Sequence, residues 1–457
     1  MPVSTIVWDS ALIQKYNQSG PRYTSYPTAL EFSEHYDEPA FRRALERYPD
    51  RPLSLYLHIP FCHKLCYFCA CNKIVTRQPE KVEGYLTTLA QEIRQRAPLF
   101  RHRHVTQMHW GGGTPTFLTP AQISRLMALL REQFDFAPEA ELSIEIDPRE
   151  IALDMIDHLH GEGFNRISMG VQDFNKDVQR LVNREQDEGL IFALLARAKA
   201  LGFLSTNIDL IYGLPSQTLA SFQHTLGRII ELNPQRLSIF NYAHMPALFA
   251  AQRKIKQQDL PGAAQKMDIL QHTIATLCDA GYQFIGMDHF ARPDDELAVA
   301  QRAGLLHRNF QGYTTRGDCE LLGMGVSAIS MIGDSYVQNH KEIKLYTESV
   351  ARQGNGLWRG VALTTDDCLR RDVIKALICQ FSIIFVPLEK RYGIRFADYF
   401  AEDLAQLAPL ERDGLLTITD RAINVTPKGR LLIRNICMCF DVYLRDKLRQ
   451  RQFSRVI

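Results

Sequence analysis

No stretch of this 457-residue chain approaches the roughly 18 apolar residues that a membrane-spanning helix requires. The strongest run, Leu377 to Leu388 (LICQFSIIFVPL), stops short of that and reads as buried core. Neither sign of charge is in excess. The 53 Lys and Arg against 51 Asp and Glu leave a net charge of +2, so no basic field argues for nucleic acid. The first residues, MPVSTIVWDSALIQKY, lack the basic, apolar, small-residue layout of a secretory leader. Ten cysteines without such a leader point to a reducing, cytoplasmic setting. The remaining composition, 46 % apolar and 23 % charged, is that of a soluble globular protein of roughly two or three domains.

Four of the ten cysteines fall in one stretch, Tyr56 to Asn72, YLHIPFCHKLCYFCACN. Cys62, Cys66 and Cys69 have the spacing C-x3-C-x2-C, one ligand short of a four-thiolate site. Iron–sulfur clusters are normally held by four Cys thiolates, so three would leave one iron of a 4Fe–4S cube open to an outside ligand. A structural zinc site pairs two knuckles across a longer spacer, and no second knuckle follows at a suitable distance. A disulfide framework suits a small secreted chain, which this is not. Inert buried thiols are common, but three or four crowded among aromatics in one loop are poorly explained by packing. Cys71 either closes the site or stands beside it, and spacing leaves both readings open.

Strand candidates alternate with amphipathic segments from about residue 36 to 360. The strands are Leu53–His58, Val105–Trp110, Leu142–Ile146, Arg166–Val171, Thr206–Ile211 and Arg236–Asn241. Between them lie Val82–Arg96, Pro120–Gln133, Ala152–Glu162 and Gly189–Leu201. This order predicts parallel βαβ units, with functional residues at the C-terminal strand ends whether the sheet curls into a barrel or stays doubly wound. Those ends read GGGTP, EIDP, VQDF, DLIYGLP and NYAHMP. Gly111-Gly112-Gly113-Thr114 lets a backbone approach a ligand closely, yet it is no phosphate loop, since no G-K-[ST] follows. Glu145 could accept from a ribose diol or be a solvated loop carboxylate. Gln172, Arg184 and Asp209 make a polar rim suited to an adenosyl group and carboxylates.

Around the barrel, Asp9–Tyr16 reads as a short helix capped by Asp9 or Ser10, followed by the turn-rich GPRYTSYPTA (Gly20–Ala29). Gly281–Ala291 reads as a further strand with Asp288 and His289 at its end, a pair as well explained by structure as by acid–base work. In the tail, Asp366–Ala376 and Phe396–Leu410 read as helices, Gly414–Val425 as a hairpin turning at Asp420-Arg421, and Pro427–Gln450 as one long helix. This is a mainly helical, winged-helix-like order. Cys437 and Cys439, at i and i+2, do not share a helix face and read as buried thiols. The organisation expected is an arm (1–35), a catalytic domain (36–362) and a C-terminal domain (363–457).

YLHIPFCHKLCYFCACN resembles the radical S-adenosylmethionine superfamily, and its C-x-C ending resembles the coproporphyrinogen branch. PRYTSYP, Arg22 included, resembles the arm of the oxygen-independent coproporphyrinogen III oxidases, and the resemblance runs through NFQGY and the C-terminal module. Two positions vary within the superfamily: Ala70 stands where many members have Gly, and Gly113 where many have Glu, as in this branch. The resemblance implies an α/β fold, a partial (β/α)6 TIM-like barrel, with the arm near the active-site mouth and the tail as a lid. It implies one 4Fe–4S cluster on Cys62, Cys66 and Cys69, with one open iron and Cys71 not a ligand. It implies two S-adenosylmethionines. For the first, Tyr56, at the end of the first strand, and Phe68 would contact adenine, Gly112 and Gly113 the methionine end, Glu145 the ribose, and Ile329 would also touch it. Around the second would lie Gly113, Thr114, Gln172, Arg184, Asp209 and Ala243. Phe310 and Gln311 would line the active site, and Arg22, whose planar fork suits a carboxylate, would hold substrate.

The implied reaction is oxidative decarboxylation of coproporphyrinogen III to protoporphyrinogen IX in haem biosynthesis. A propionate β-carbon bears no acidic proton, so a base cannot begin it and a cofactor-derived radical must. A flavodoxin-like electron donor, a terminal acceptor and a monomeric state are further implied, with no nucleic acid or membrane partner. A haem chaperone of the paralogous branch is the alternative, against which the PRYTSYP arm speaks. A DNA-binding iron–sulfur regulator is a third, resting only on the winged tail.

Overall fold

Apolar strands separated by amphipathic helices fold as parallel β/α units in the computed structural model, which describes residues 6–445. The chain divides into two units: Phe32–Ile269 with Asp318–Ala362, and the residues up to Glu31 with Leu270–Gly317 and the chain from Leu363 on.

In the first unit, Leu53–Ile59 (β1) has six of seven residues buried, as expected of a parallel strand covered on both faces. His104–Gly112 (β2), Asp135–Ile146 (β3), Arg166–Gln172 (β4), Ser205–Tyr212 (β5) and Arg236–Asn241 (β6) follow, each parallel to the one before. The crossover helices are Pro79–Arg96 (α1), Pro120–Gln133 (α2), Leu153–Gly161 (α3), Glu188–Leu201 (α4) and Leu219–Leu232 (α5). Their ends follow local chemistry. Thr119 and Gln122 form a capping box on α2. Asp187 accepts from Leu190 N at the start of α4, which Gly202 ends in the left-handed region.

The barrel does not close on itself. The free edge of β1 pairs in parallel with Glu320–Met324 (β7). An antiparallel run then extends the sheet through Ile329–Ile332 (β8), Ser335–Asn339 (β9) and Leu357–Ala362 (β10). The expected six-stranded partial barrel is thus present, with a meander added at its first strand. Two details differ from the sequence reading. β3 begins at Asp135, not Leu142, because Asp135 and Phe136 pair with β2 before a register shift admits the Pro138-containing stretch. Tyr56 sits in the middle of β1, not at its end.

In the second unit, Ser10–Tyr16 is helical and Asp9 caps it by accepting from Leu12 N. Gly281–Ala291 is not one strand. Gln283–Gly286 and His289–Ala291 form an antiparallel hairpin, with Asp288 in its turn after Met287 at φ +53°. The tail has a three-stranded sheet, Ser382–Ile384 beside Ala422–Val425 beside Leu416–Ile418, so the apolar run from Leu377 spans a helix end, an edge strand and the next helix. Phe396–Leu410 breaks at Phe400, which leaves helical geometry and buries its ring between Phe396 and Phe440. Pro427–Gln450 is not one helix. Ile433–Met438 and Val442–Arg445 are separate, because Asp441 caps the second by accepting from Leu444 N. Residues from Asp446 onward lie outside the described part. Cys437 and Cys439 are buried, and burial pushes both thiols up, Cys439 to about 12. No described helix is long and apolar enough to cross a membrane.

Candidate active site

The cysteine loop leaves the C-terminal end of β1 and is tied to its neighbours through backbone groups. Gly113 N donates to Ile59 O at 2.8 Å and Thr114 N to Phe61 O at 2.8 Å, so GGGTP runs alongside the loop's start. Tyr67 N donates to Val182 O at 3.0 Å and Asn183 Nδ2 to Leu65 O at 2.8 Å, which fixes its far side. Phe68 packs on the apolar group of Val178, Val182, Ile211, Leu214 and Tyr242. A side chain at Gly112 would be strained and crowded, and one at Gly113 would meet the Pro60 backbone at 2.7 Å. At Gly112, φ is +115° and an added Cβ would lie 2.7 Å from the His58 ring; at Gly111 it would lie 2.9 Å from Glu145 Oε1.

Cys62 and Cys66 are buried, Cys69 is half-buried and Cys71 is exposed. Burial pushes the Cys62 thiol up to about 11, whereas the hydrogen bond from Cys71 leads the effects that lower Cys69 to about 6. Cys71 N also donates to Cys69 Sγ at 3.4 Å. Two guanidiniums converge on Cys66 Sγ, Arg149 Nη2 at 3.2 Å and Arg184 Nη1 at 3.3 Å. Both also clasp Asp147. Burial alone would raise that carboxyl, but Arg184 and Arg149 outweigh it and hold it at about 2. Among the described residues no three His, Cys, Asp or Glu side chains converge to hold a single metal ion. A cubane places each thiolate on a different iron, so three cysteines spread around a loop, backed by cationic donors, fit a cluster better than one ion.

Glu145, at the end of β3, accepts from Gly112 N at 3.2 Å, and its Oε1 lies 3.3 Å from His109 Nε2. Burial works to raise its pKa, yet the hydrogen bond and charge of His109 keep it below the usual carboxylate range. His109 stacks on Tyr56, ring centres 6.0 Å apart. Tyr56 Oη lies 3.0 Å from His58 Nδ1, and His58 Nε2 lies 2.9 Å from Asn72 O. A carbonyl only accepts, so His58 carries its proton on Nε2 and takes the Tyr56 hydroxyl on Nδ1. Burial lowers its pKa, in keeping with that neutral form. Gly323 of β7 pairs beside Tyr56, and a Cβ there would meet Ile329 O at 2.5 Å, which brings Ile329 to the same end.

Further along the sheet, Gln172 is held at φ +70° with its Oε1 buried and unpartnered among the described residues. Arg184 Nη2 donates to Gly170 O. Asp209 accepts from Asn207 Nδ2 at 2.7 Å and Ser168 Oγ at 3.5 Å. Burial and then the Glu145 charge push Asp209 up to about 6. Ala243 follows Tyr242 just past β6, where Lys266 Nζ donates to Tyr242 O at 3.1 Å. In the other unit, Arg22 pairs with Asp288, and Phe310 and Gln311 form the turn between the strands His307–Asn309 and Gly312–Thr314.

Apart from Tyr56 inside β1 and Ile329 at the start of β8, the barrel's sequence-predicted residues therefore lie at the C-terminal ends of strands or in the loops that follow them. His58, His109, Asp147 and Arg149 were not among the candidates. Asp147 and Arg149 could have been noticed, since EIDPR puts a carboxylate and an arginine at a strand end. His58 and His109 carried no signal of their own.

Residues 56–229 match the model of the radical SAM superfamily and residues 363–432 that of the HemN C-terminal domain. The chain is 71 % identical over 457 residues to the oxygen-independent coproporphyrinogen III oxidase of Escherichia coli, covering 100 % of each. It is 48 % identical over 460 residues to the protein of that name from Synechocystis sp., covering 99 % of each. A solved structure titled coproporphyrinogen III oxidase (HemN) from Escherichia coli, described as a radical SAM enzyme, superposes with a TM-score of 0.94 at 70 % identity, covering 96 % of this chain and 100 % of that one.

Proposed function

Because this chain belongs to the oxygen-independent coproporphyrinogen III oxidases of the radical S-adenosylmethionine superfamily, we propose that it converts coproporphyrinogen III to protoporphyrinogen IX without oxygen. Two propionates become vinyl groups and two carbon dioxides leave, as a step of haem biosynthesis. The observation that carries the reading is the three-cysteine loop lying against the Gly112–Glu145–His109 group at the ends of β1, β2 and β3.

Membership of the family brings a 4Fe–4S cluster and S-adenosylmethionine. In this reading Cys62, Cys66 and Cys69 hold the cluster, and Cys71, exposed and donating its N–H to Cys69 Sγ, stands beside it. When bound, the pair supplies the adenosyl radical that takes a β-hydrogen from a propionate. The chain's own groups do the rest. Glu145, kept ionised by His109, accepts the ribose hydroxyls of a first cofactor. Gly112 and Gly113 bring backbone close to its methionine end. Tyr56 and Phe68 supply the apolar face for adenine, and Ile329 touches the same cofactor. A second S-adenosylmethionine is assigned to Gly113, Thr114, Gln172, Arg184, Asp209 and Ala243, a reading supported by the unpartnered Gln172 Oε1 and by the buried Asp209 carboxyl beyond it on the next strand.

Arg22, Phe310 and Gln311 are assigned to the substrate. The arm (1–35), catalytic domain (36–362) and lid (363–457), a flavodoxin-like electron donor, a separate terminal acceptor and a monomeric enzyme belong to the same proposal. The haem-chaperone alternative loses ground, since the relatives named above, full-length matches, are oxidases by name.

The test is an anaerobic assay of reconstituted protein with dithionite, S-adenosylmethionine and coproporphyrinogen III, with cell extract as acceptor. Protoporphyrin and 5′-deoxyadenosine forming together, and both disappearing in Cys62→Ser, is the expected result. A reconstituted cluster with stable haem binding and no vinyl product would overturn the oxidase reading in favour of the chaperone.

A further inference from the structure

Arginine gathers in the second unit beyond what one carboxylate neutralises. Arg22 Nη1 meets Asp288 Oδ2 at 3.0 Å. Arg434, only 4 % exposed, donates from Nε to Pro21 O at 2.9 Å and from Nη2 to Gly20 O, the two residues preceding Arg22. Arg308 lies with its guanidinium 4.8 Å from the Tyr313 ring centre. That ring meets His289, the neighbour of Asp288, edge-on at 5.2 Å. Burial and the nearby Arg22 charge lower the Arg434 pKa to about 10, with Arg308 also felt there. Over these side chains, three guanidiniums against one carboxylate leave a charge of +2. Asp441, a further carboxyl bonded to the arm, takes the Tyr23 hydroxyl at 2.9 Å, and burial raises its pKa.

The excess charge comes with unmet donors. Among the described residues, Arg308 Nε and Nη1 and Gln311 Nε2 are buried with no acceptor, all on the hairpin from His307 to Thr314. A buried donor left unpaired is costly, and a ligand that only accepts and carries negative charge meets both needs. A carboxylate is such a ligand, and a guanidinium can take it through two parallel N–H donors.

Resting on the oxidase reading, we infer that Arg22, Arg308 and Arg434, with Gln311 donating from the hairpin turn, form a carboxylate site for a propionate that the substrate keeps. Chemistry selects which propionate. Guanidiniums that stabilise a carboxylate make loss of carbon dioxide from it harder, so this site suits one of the two propionates that survive in the product. Its role is to position the ring and select for its carboxylates.

The experiment is fluorescence titration of the reconstituted protein with coproporphyrin III and with protoporphyrin IX, comparing Arg308→Met, Arg308→Lys and wild type. Arg308→Met is expected to weaken both porphyrins by about 10- to 100-fold, with Arg308→Lys recovering part of the loss. Cluster iron and substrate-free 5′-deoxyadenosine formation should stay at wild-type levels, which excludes misfolding as the cause. Weakened coproporphyrin III with unchanged protoporphyrin IX would overturn the assignment to a retained propionate. Unchanged affinity for both would overturn the site. If wild type binds both porphyrins through Arg308 yet forms no vinyl product, the oxidase reading fails while the carboxylate site stands.

Discussion

Asp209 sits where its ionised form is poorly solvated. Its folded pKa of about 6 lies above the ordinary 3.8, so the folded chain binds the proton more tightly than the unfolded one. Between those values stability falls as pH rises, and by neutral pH the ionised group costs at most about 3 kcal/mol. Asp209→Asn is therefore expected to raise the melting temperature of the ligand-free protein at pH 8, with the gain shrinking toward pH 4. The same change should weaken S-adenosylmethionine binding, because an amide accepts less strongly from ribose hydroxyls than a carboxylate. Calorimetry at the two pH values, with and without the cofactor, reads both effects, and a variant less stable at pH 8 would contradict the argument.

Arg149 makes a different prediction. Its guanidinium is buried, clasped by Asp147, and donates to Cys66 Sγ at 3.2 Å, and donors to cluster sulfurs favour the reduced state. Arg149→Met should move the reconstituted cluster to a more negative potential and lower activity by about 10- to 100-fold, with Arg149→Lys restoring most of the potential. An unmoved potential in an anaerobic redox titration would mean that Arg149 serves only to hold Asp147 and the Asn183 carbonyl. At this scale the cysteines and Glu145 were legible because spacing or strand-end position marks them. His58 and His109 were not, because only folding pairs His109 with Glu145 and His58 with Asn72 O, and for Arg149 the EIDPR pattern was visible but its approach to Cys66 was not.

Among elements, the junction of β2 with its glycines carries the sharpest constraint. Gly112 adopts φ +115°, and a Cβ would lie 2.7 Å from the His58 ring. That places backbone strain and a clash at the residue that also donates to Glu145. Gly112→Ala is expected to cost about 1–3 kcal/mol and to weaken the first cofactor far more than the porphyrin. Denaturant unfolding together with cofactor titration checks this, and a variant with wild-type stability and cofactor affinity would show that the turn relaxes. The barrel strands were readable from sequence because short strand-like runs alternate regularly with longer amphipathic segments. What misled were boundaries set by single side chains. Asp441 splits a helical pattern by capping its second half, Phe400 splits another to bury its ring, and Met287 with positive φ folds an apparent strand back at Asp288.

At the scale of the whole molecule, the C-terminal segment depends on chain far from it in sequence. Val7 N donates to Pro427 O at 3.2 Å, Asn435 Nδ2 to Tyr16 O at 2.9 Å, and Arg434 holds Gly20 and Pro21. Ile13, Tyr23 and Tyr26 are buried, and Gln380 Nε2 reaches Leu306 O at 2.8 Å. Periodicity reads elements one after another, so a unit assembled from three separate segments is invisible to it. Burying one large apolar side chain contributes about 2 kcal/mol, and a domain is stable by only about 5–15 kcal/mol. Losing three such side chains and the bonds to Arg434 thus removes an amount comparable to the whole margin. Residues 363–457 expressed alone are expected to show no cooperative thermal transition by circular dichroism. The full chain lacking residues 1–23 should melt below wild type while still assembling its cluster, since the cysteine loop takes its backbone ties from the other unit. A sharp, wild-type-like transition in the isolated segment would mean that the arm decorates a fold already complete, and Arg434 would then need another reason to be buried against Gly20 and Pro21.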